Sequence, residues 1–217
     1  MSLDQIPVSV LIPTYNEERN LAACLQSVSW AKEIFVVDSY SNDNTENIAK
    51  ANGAEFFQHP FENYAAQKNW ALDNLAISQK WVLILDADER VSDDLALEIG
   101  SVLRENRPNG PVGYYINRRF IFMGRWIRHC GWYPSWNVRL FRDGRALYEE
   151  RPVHEHMLVD GTVDYMKHDL IHDDQRGITA WLERHNQYST WEAETRLRVQ
   201  KEQFSNGLQS HWRGSPV

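Results

Sequence analysis

The first hundred residues alternate between short apolar runs and segments whose apolar residues repeat at helical spacing. Four runs have the length of strands: VSVLI (8–12), EIFVVD (33–38), AEFFQ (54–58) and WVLIL (81–85). Helices are predicted after the first strand, through Ile48, over YAAQKNWALDNL (64–75) and after Ser92. Strands that alternate with helices predict βαβ units and a mostly parallel sheet covered on both faces, which is an α/β fold.

Local signals place some of the boundaries of these elements. TYNE (14–17) matches the Ser/Thr-x-x-Glu capping pattern and predicts a helix start, whereas Gly53 suits a helix C-terminus. From about residue 112 the chain becomes extended and aromatic, with Asp143-Gly144 as a hairpin signal, before a final helix from about residue 177. We expect a single domain over 1–217, divided into parts 1–110, 111–176 and 177–217.

Composition narrows the range of functions. The formal net charge of -7 disfavours nucleic acid as a partner, and 42% hydrophobic with 24% charged residues is typical of a globular protein. The two cysteines lie far apart and form no CxxC, so we expect no disulfide framework and a reducing, cytoplasmic setting, which includes the inner face of the cytoplasmic membrane. No apolar run is long enough to predict a transmembrane segment.

Polar residues directly follow three of the predicted strands: Thr14 to Glu17 after the first, Asp38 to Asp43 after the second, and the pair Asp86 and Asp88 after the fourth. Parallel sheets bind ligands at the carboxyl ends of their strands, so these polar groups should share one edge. Two neighbouring carboxylates repel each other unless a cation lies between them, and Mg²⁺ or Mn²⁺ prefers oxygen ligands together with substrate phosphates. The alternative is ordinary turn or capping chemistry for a short Asp-x-Asp.

Four segments, VSVLIPTYNEERNL, VVDSYSNDNT, AAQKNWAL and WVLILDADERV, occur in an order and spacing that resembles family 2 glycosyltransferases. The resemblance covers residues 8–91 and implies the GT-A nucleotide-sugar-binding fold. It is closest to the subgroup that contains lipopolysaccharide-core glucosyltransferases. It also implies an inverting transfer from a UDP-sugar to a glycan or glycolipid hydroxyl, with Mn²⁺ or Mg²⁺ as cofactor and a role in cell-envelope synthesis.

The resemblance also assigns donor-binding residues. It implies that the base and ribose are lined by Pro13, Tyr15 and Glu17, that Asp38 accepts a hydrogen bond from uracil, and that Lys68 faces the nucleotide. Asp86 is expected to face the sugar nucleotide and contribute to the metal site, while Asp88 binds the metal. His172 is the candidate for a further metal ligand. The structural alternatives are a loop aromatic for Tyr15, a helix cap for Asp38, a surface lysine for Lys68 and a structural histidine for His172.

Inverting transfer needs a carboxylate base to take the proton of the acceptor hydroxyl. The segment RPVHEHM resembles the His-Glu of the same subgroup and implies that Glu155 is this base, with Glu149 and Glu150 as alternatives. A surface glutamate in a turn is the structural interpretation of Glu155.

Residues 114–151 contain eight arginines, no lysine and three acids, interleaved with tryptophan and tyrosine. Arginine suits phosphate and aromatic faces suit sugar rings, so we expect an anionic acceptor held by Arg118, Trp132 and Trp136. A solvated hairpin with cation-aromatic pairs is the alternative.

Other classes of protein share parts of the pattern. A sugar-phosphate nucleotidylyltransferase should open with a glycine-rich loop, whereas IPTYNEERN has no glycine. An Asp-x-Asp phosphatase should carry its first aspartate at the first strand, not the fourth. A non-catalytic carbohydrate-binding protein would need neither the paired aspartates nor the nucleotide loop.

Overall fold

The computed structural model describes residues 5–105, 110–149 and 156–205, with side chains to residue 197. The predicted alternation of the first half is confirmed. Its elements are β1 (Ile6–Thr14), α1 (Leu21–Ser27), β2 (Ala31–Asp38), α2 (Thr45–Ala51), β3 (Glu55–Gln58), α3 (Tyr64–Asn74), β4 (Trp81–Ile84), β5 (Glu89–Val91) and α4 (Asp93–Glu105). The second half contains β6 (Gly113–Phe122), β7 (Arg125–Trp126), β8 (Trp136–Arg142), β9 (Ala146–Tyr148), β10 (Met157–Val159), β11 (Val163–Tyr165), β12 (Leu170–Asp173) and α5 (Ile178–Ser205).

The central sheet has the order β3-β2-β1-β4-β8-β6-β12-β5, with β7 and β11 paired to β6. The strands β3, β2, β1 and β4 are parallel, as expected for βαβ units, and β8 joins them in the antiparallel direction. The second half therefore completes one mixed sheet. The parallel part comes from the alternating half of the sequence.

The sheet must curl, because β4 and β5 follow each other in sequence but lie four steps apart in the sheet. Four flat steps would cover about 19 Å. The connection cannot span that distance: it contains a turn in which Glu89 N donates to Asp86 O at 2.9 Å, and it reaches about 14 Å at most. The turn that carries Asp86 and Asp88 therefore closes the sheet around the site.

Two apolar clusters cover the two faces of the parallel strands. Alternate residues of β1, such as Val10 and Ile12, pack with Leu25 and Leu95 on one face. Leu11 points to the other face and packs with Ala65 and Ala71 of α3. Because successive side chains of a strand point to opposite faces of the sheet, one continuous apolar run can pack against helices on both faces.

Two local predictions are wrong, and one strand was not predicted. Helix α1 begins at Leu21 rather than within TYNE, because the Thr14 hydroxyl donates to Asp38 and leaves no capping box. The Asp143-Gly144 turn forms, with Arg145 N donating to Arg142 O, but β8 and β9 do not pair; β9 pairs with β10 instead. Strand β5 was not expected. It exists because β12 supplies its pairing partner, which is distant in sequence.

Candidate active site

A cleft of about 1470 Å³ lies at the carboxyl ends of β1 and β4 and is bordered by β6, β8, β12 and α5. Its volume exceeds the range of about 300–1,000 Å³ that is typical for one small ligand. Each of the three predicted polar segments contributes residues to it, including Tyr15, Ser39 and Asp86. Lys68 and His172 also line the cleft. The expected convergence of polar groups at one sheet edge is therefore observed.

Asp86 and Asp88 lie in the turn between β4 and β5 and have different partners. Asp86 Oδ2 accepts from Arg139 at 2.6 Å, and its Oδ1 lies 3.9 Å from Lys68 Nζ. Burial raises the pKa of Asp86, but Arg139 and Lys68 outweigh this effect and hold the pKa far below its usual range. Asp86 is therefore a fixed anion between two cations.

Glu89 completes this group from the first position of β5. Its side chain is fully buried, accepts from Asp86 N at 3.0 Å and lies 2.6 Å from Arg139 Nη2. Arg118 Nη1 approaches the same carboxylate at 3.5 Å. Glu89 and Arg139 thus fix the backbone and the carboxylate of Asp86 together.

Asp88 faces the other wall of the cleft. Its Oδ1 lies 3.5 Å from His172 Nδ1, and its Oδ2 lies 3.3 Å from Arg184 Nη1 and 3.8 Å from Arg176 Nη2. Nδ1 of His172 is buried and has no hydrogen-bond partner. The ring is held by Phe120, whose centroid is 5.1 Å away.

A divalent ion fits between Asp88 and His172. Adjacent ligands of an octahedral Mg²⁺ lie about 3 Å apart, close to the observed separation, and an unpartnered buried imidazole nitrogen is available as a donor. Within the described part of the chain, no group of three or more His, Cys, Asp or Glu side chains is arranged to hold a metal. Two protein ligands therefore suit an ion whose remaining ligands are phosphate oxygens and water.

Glu17 is buried beside this second group. It contacts Arg176 at 2.8 Å and accepts from Asn20 Nδ2 at 2.8 Å. Burial raises the pKa of Glu17 to about 7, and Asp88 adds to the rise while Arg176 opposes it. Glu17 lines the cleft, but its carboxylate is paired with Arg176 in the segment before α5.

Asp38, which the resemblance assigns to the nucleotide, has other partners in this structure. Both of its carboxylate oxygens accept hydrogen bonds, from Thr14 and from the backbone and side chain of Ser41, and the residue is 1% exposed. In this arrangement Asp38 organises the loop and is not among the residues that line the cleft. Its hydrogen bond to uracil stays a prediction. Tyr15, by contrast, is 57% exposed at the cleft, as a stacking role would require.

Lys68 is not the solvated surface lysine of the alternative interpretation. It is 5% exposed, and its ammonium lies 4.6 Å from the ring centroid of Tyr148 as well as near Asp86. A buried ammonium that lines the cleft fits a role in binding a nucleotide phosphate.

The predicted acceptor residues also line the cleft. Trp132 stacks on Phe120 with centroids 4.3 Å apart, and Trp136 meets Tyr165 edge to face at 5.0 Å. Both tryptophans are more than a third exposed. Arg118 donates to the hydroxyl of Ser135, a residue that lies between the two tryptophans in sequence. The structure thus brings the three predicted residues to one cleft.

Most of the other arginines in this segment have internal partners. Arg119 pairs with Asp169 and, with Arg128, lies over Trp126, while Arg145 pairs with Asp160. Among the described arginines between 114 and 151, those that line the cleft are Arg118 and Arg139. The cation-aromatic alternative therefore accounts for much of the arginine pattern.

The predicted base Glu155 and its alternative Glu150 lie outside the described residues. Glu149 does not line the cleft, although Glu149 N donates to His156 O at 2.9 Å. His156, which follows Glu155 in sequence, does line the cleft.

Four charged residues of the site were missed by sequence reasoning: Glu89, Arg139, Arg176 and Arg184. Arg139 lies in a strand between the apolar residues Val138 and Leu140, and a charged residue in such a position can be predicted to be buried. Arg176, in the turn before α5, and Arg184, in α5, lie in polar segments that give no such signal, because only the fold turns them towards Asp88.

Residues 9–156 match the family profile described as Glycosyl transferase family 2. The chain belongs to the family 2 glycosyltransferases. This membership and the β/α arrangement of the first half confirm the predicted enzyme class and GT-A fold.

Similar proteins include the lipopolysaccharide core biosynthesis glycosyltransferase LpsC of Rhizobium meliloti. It is 29% identical over 206 residues, which are 92% of this chain and 75% of that protein. The uncharacterized glycosyltransferase RT0209 of Rickettsia typhi is 34% identical over 118 residues, 54% of this chain. The chain spans 40% of the length of that Rickettsia relative.

Solved structures give more distant similarities. TarS 1-349 of S. aureus has a TM-score of 0.47 at 19% identity, covering 64% of this chain and 47% of that one. Glucosyl-3-phosphoglycerate synthase of Mycobacterium tuberculosis, solved with Mn²⁺, UDP and glucosyl-3-phosphoglycerate, has a TM-score of 0.41 at 23% identity, covering 52% of this chain and 43% of that one.

In the described part of the present chain, no helix combines the length and apolarity needed to cross a membrane.

Proposed function

We propose that this glycosyltransferase moves a sugar from a UDP-sugar to a hydroxyl of a glycan or glycolipid, with inversion and with the help of Mn²⁺ or Mg²⁺. The observation that carries the proposal is the pair Asp88 and His172, with an unpartnered buried Nδ1 facing a carboxylate inside the cleft. Asp88 and His172 would hold the ion. When bound, such an ion acts as a Lewis acid that stabilises the departing diphosphate.

The residues around the pair divide the remaining tasks. Tyr15 presents an exposed ring for the base, and Pro13 lines the same end of the cleft. Lys68 supplies a buried positive charge on the nucleotide side, and Asp86 keeps it there. The earlier assignment of Asp86 as an additional metal ligand stays a prediction, since Arg139 binds its carboxylate in this structure.

The acceptor would lie at the aromatic end of the cleft. Trp132 and Trp136 offer faces on which a sugar ring can stack, and Arg118 offers a cation for a phosphate group. Glu155 would take the proton of the attacking hydroxyl. The name of the relative LpsC supports a lipopolysaccharide or other cell-envelope glycan as the product.

Calorimetric titration of UDP in the presence and absence of Mn²⁺ tests the proposal. We expect wild-type protein to bind UDP more tightly with Mn²⁺ and Asp88→Ala to lose this dependence. Asp93→Ala, at the start of α4, removes an aspartate that is not among the cleft residues and serves as the control. Undetectable binding to wild type, or Mn²⁺-dependent binding that survives in Asp88→Ala, would rule the proposal out.

Hydrolysis of a panel of nucleotide sugars by wild-type protein would then identify the donor. A comparison of phosphorylated and neutral oligosaccharide acceptors tests the expected negative charge. Equal use of the two kinds of acceptor would argue against an anionic acceptor but not against the transferase itself.

A further inference from the structure

The side of Asp88 that does not face His172 is covered by two guanidinium groups from the last part of the chain. Arg184 Nη1 lies 3.3 Å from Asp88 Oδ2, and Arg176 Nη2 lies 3.8 Å from the same atom. Both side chains are about four-fifths buried, and both line the cleft. A metal ligand of the proposed site is thus neutralised by the protein's own cations.

A second carboxylate holds the two arginines from behind. Asp174 Oδ2 lies 2.7 Å from Arg184 Nη2 and 3.0 Å from Arg176 Nη2, and Asp174 Oδ1 lies 2.9 Å from Arg176 Nε. Asp174 also accepts from Asn20. Each guanidinium has five donors in a rigid fork, so Asp174 fixes its position while leaving other donors towards the cleft.

We infer that Arg184, with Arg176 beside it, is a diphosphate-binding residue that occupies Asp88 until a divalent ion and a nucleotide diphosphate bind together. This inference rests on the proposed function. Arg184 gives up Asp88 as its acceptor when the ion takes that carboxylate, and it donates instead to a phosphate oxygen. Asp174 keeps the guanidinium at the site during this exchange, so no large movement of α5 is required.

The exchange has a physical reason. A divalent cation alone would meet two fixed positive charges near Asp88, and a diphosphate alone would meet the carboxylates of Asp88 and Glu17. The two ligands together satisfy all of these charges, because the anion pairs with the arginines and the cation pairs with Asp88. Binding of metal and nucleotide should therefore be strongly cooperative.

Arg184→Met tests this idea, since it removes the charge and keeps most of the apolar stem. We expect its Kd for UDP at saturating Mn²⁺ to rise roughly tenfold to a hundredfold, because the variant loses a hydrogen bond between charged groups. Its Kd for Mn²⁺ alone should fall by about threefold or more, because the competing charge has gone. A residue that only supports the fold would not change the two affinities in opposite directions.

Three comparisons make the measurement specific. UMP lacks the second phosphate, so Arg184→Met should weaken UMP binding much less than UDP binding. Arg184→Lys keeps the charge and should retain a large part of the UDP affinity. Arg196→Met removes an exposed arginine of the same helix that pairs with Glu192, and both affinities should stay at the wild-type value.

Calorimetry for UDP and UMP and electron paramagnetic resonance of free Mn²⁺ provide the readouts, with circular dichroism to verify folding. An Arg184→Met protein whose UDP and Mn²⁺ affinities both equal those of Arg196→Met overturns the inference while leaving the proposed function intact. Weaker binding of Mn²⁺ alone also overturns it. If wild-type protein does not bind UDP with Mn²⁺, both proposals fall.

Discussion

Arg139 of β8 and Asp86 of the turn after β4 are joined by a hydrogen bond of 2.6 Å between Nη2 and Oδ2. The same Nη2 lies 2.6 Å from Glu89 Oε1, so one guanidinium bridges two acids of the turn that carries Asp88. The site is therefore built on a buried charge cluster. This relationship controls both the stability of the turn and the position of Asp88.

Replacing Arg139 by Met should destabilise the protein strongly. The change leaves the fully buried Glu89 without its closest cation, and breaking a buried ion pair costs about 3–5 kcal/mol. Urea denaturation of the purified variant measures this change. Arg145→Met removes an exposed pair with Asp160 and should cost less than about 1 kcal/mol. Equal effects of the two substitutions would show that the cluster has no special role.

His172→Ala should weaken Mn²⁺-dependent UDP binding, because it removes the nitrogen that we propose as a metal ligand beside Asp88. We expect a loss of about tenfold or more, measured by calorimetry at fixed UDP and varied Mn²⁺. The matched control is His168→Ala, since His168 pairs with Glu98 and does not line the cleft. A similar loss in both variants would contradict a ligand role for His172.

Glu17 should make stability depend on pH. Its pKa in the folded protein is about 7, above the ordinary value of 4.5, because burial disfavours the charged form. The stabilisation associated with the protonated form is fully present below pH 4.5 and is lost as the pH rises through 7. The free energy of unfolding should fall by about 3 kcal/mol over this range from this group alone.

Glu17→Gln should flatten this part of the pH profile and gain stability relative to wild type at pH 8. Urea denaturation at pH 5 and pH 8 measures both effects. Glu46→Gln, which removes an exposed carboxylate that pairs with Lys50, shows how much any lost carboxylate contributes. A wild-type profile that persists in Glu17→Gln would mean that Glu17 is ionised throughout the range.

Glu155→Gln should abolish most transfer while leaving UDP binding unchanged, because a general base acts on the acceptor and not on the nucleotide. A decrease in kcat of about 10²- to 10⁴-fold is expected, measured with an acceptor found by screening. Glu149→Gln is the comparison, since Glu149 is the alternative base. Full transfer activity in Glu155→Gln would show that Glu155 is not the base. A loss of activity in Glu149→Gln alone would assign the role of base to Glu149.

Trp136→Ala should raise the KM for the acceptor and leave the KM for the donor unchanged. The exposed indole lines the cleft, and stacking of a sugar ring on it contributes about 0.5–1.5 kcal/mol, or roughly threefold to tenfold. Steady-state kinetics with both substrates varied measures the two constants. Trp70→Ala, on α3 and stacked on His59, is the control for a general loss of aromatic packing. An increase in the donor KM instead would place Trp136 in the donor site.

The sequence by itself determined the α/β half, the strand that delivers Asp86 and Asp88, and the family. These features depend on local periodicity and on contiguous motifs, and both are visible in a linear string. It also drew attention to His172 and Lys68, which the structure places in the cleft, because a motif or a strand end marks their positions.

Only the tertiary structure decided which charges meet. Strand β5 forms against β12, Arg139 reaches Asp86 across the sheet, and Arg184 reaches Asp88 from α5. These partners are far apart in sequence, and no local pattern determines their pairing. The physical reason is that a buried charge is costly unless it pairs with an opposite charge. The curl of the sheet determines which oppositely charged side chains lie close enough to pair.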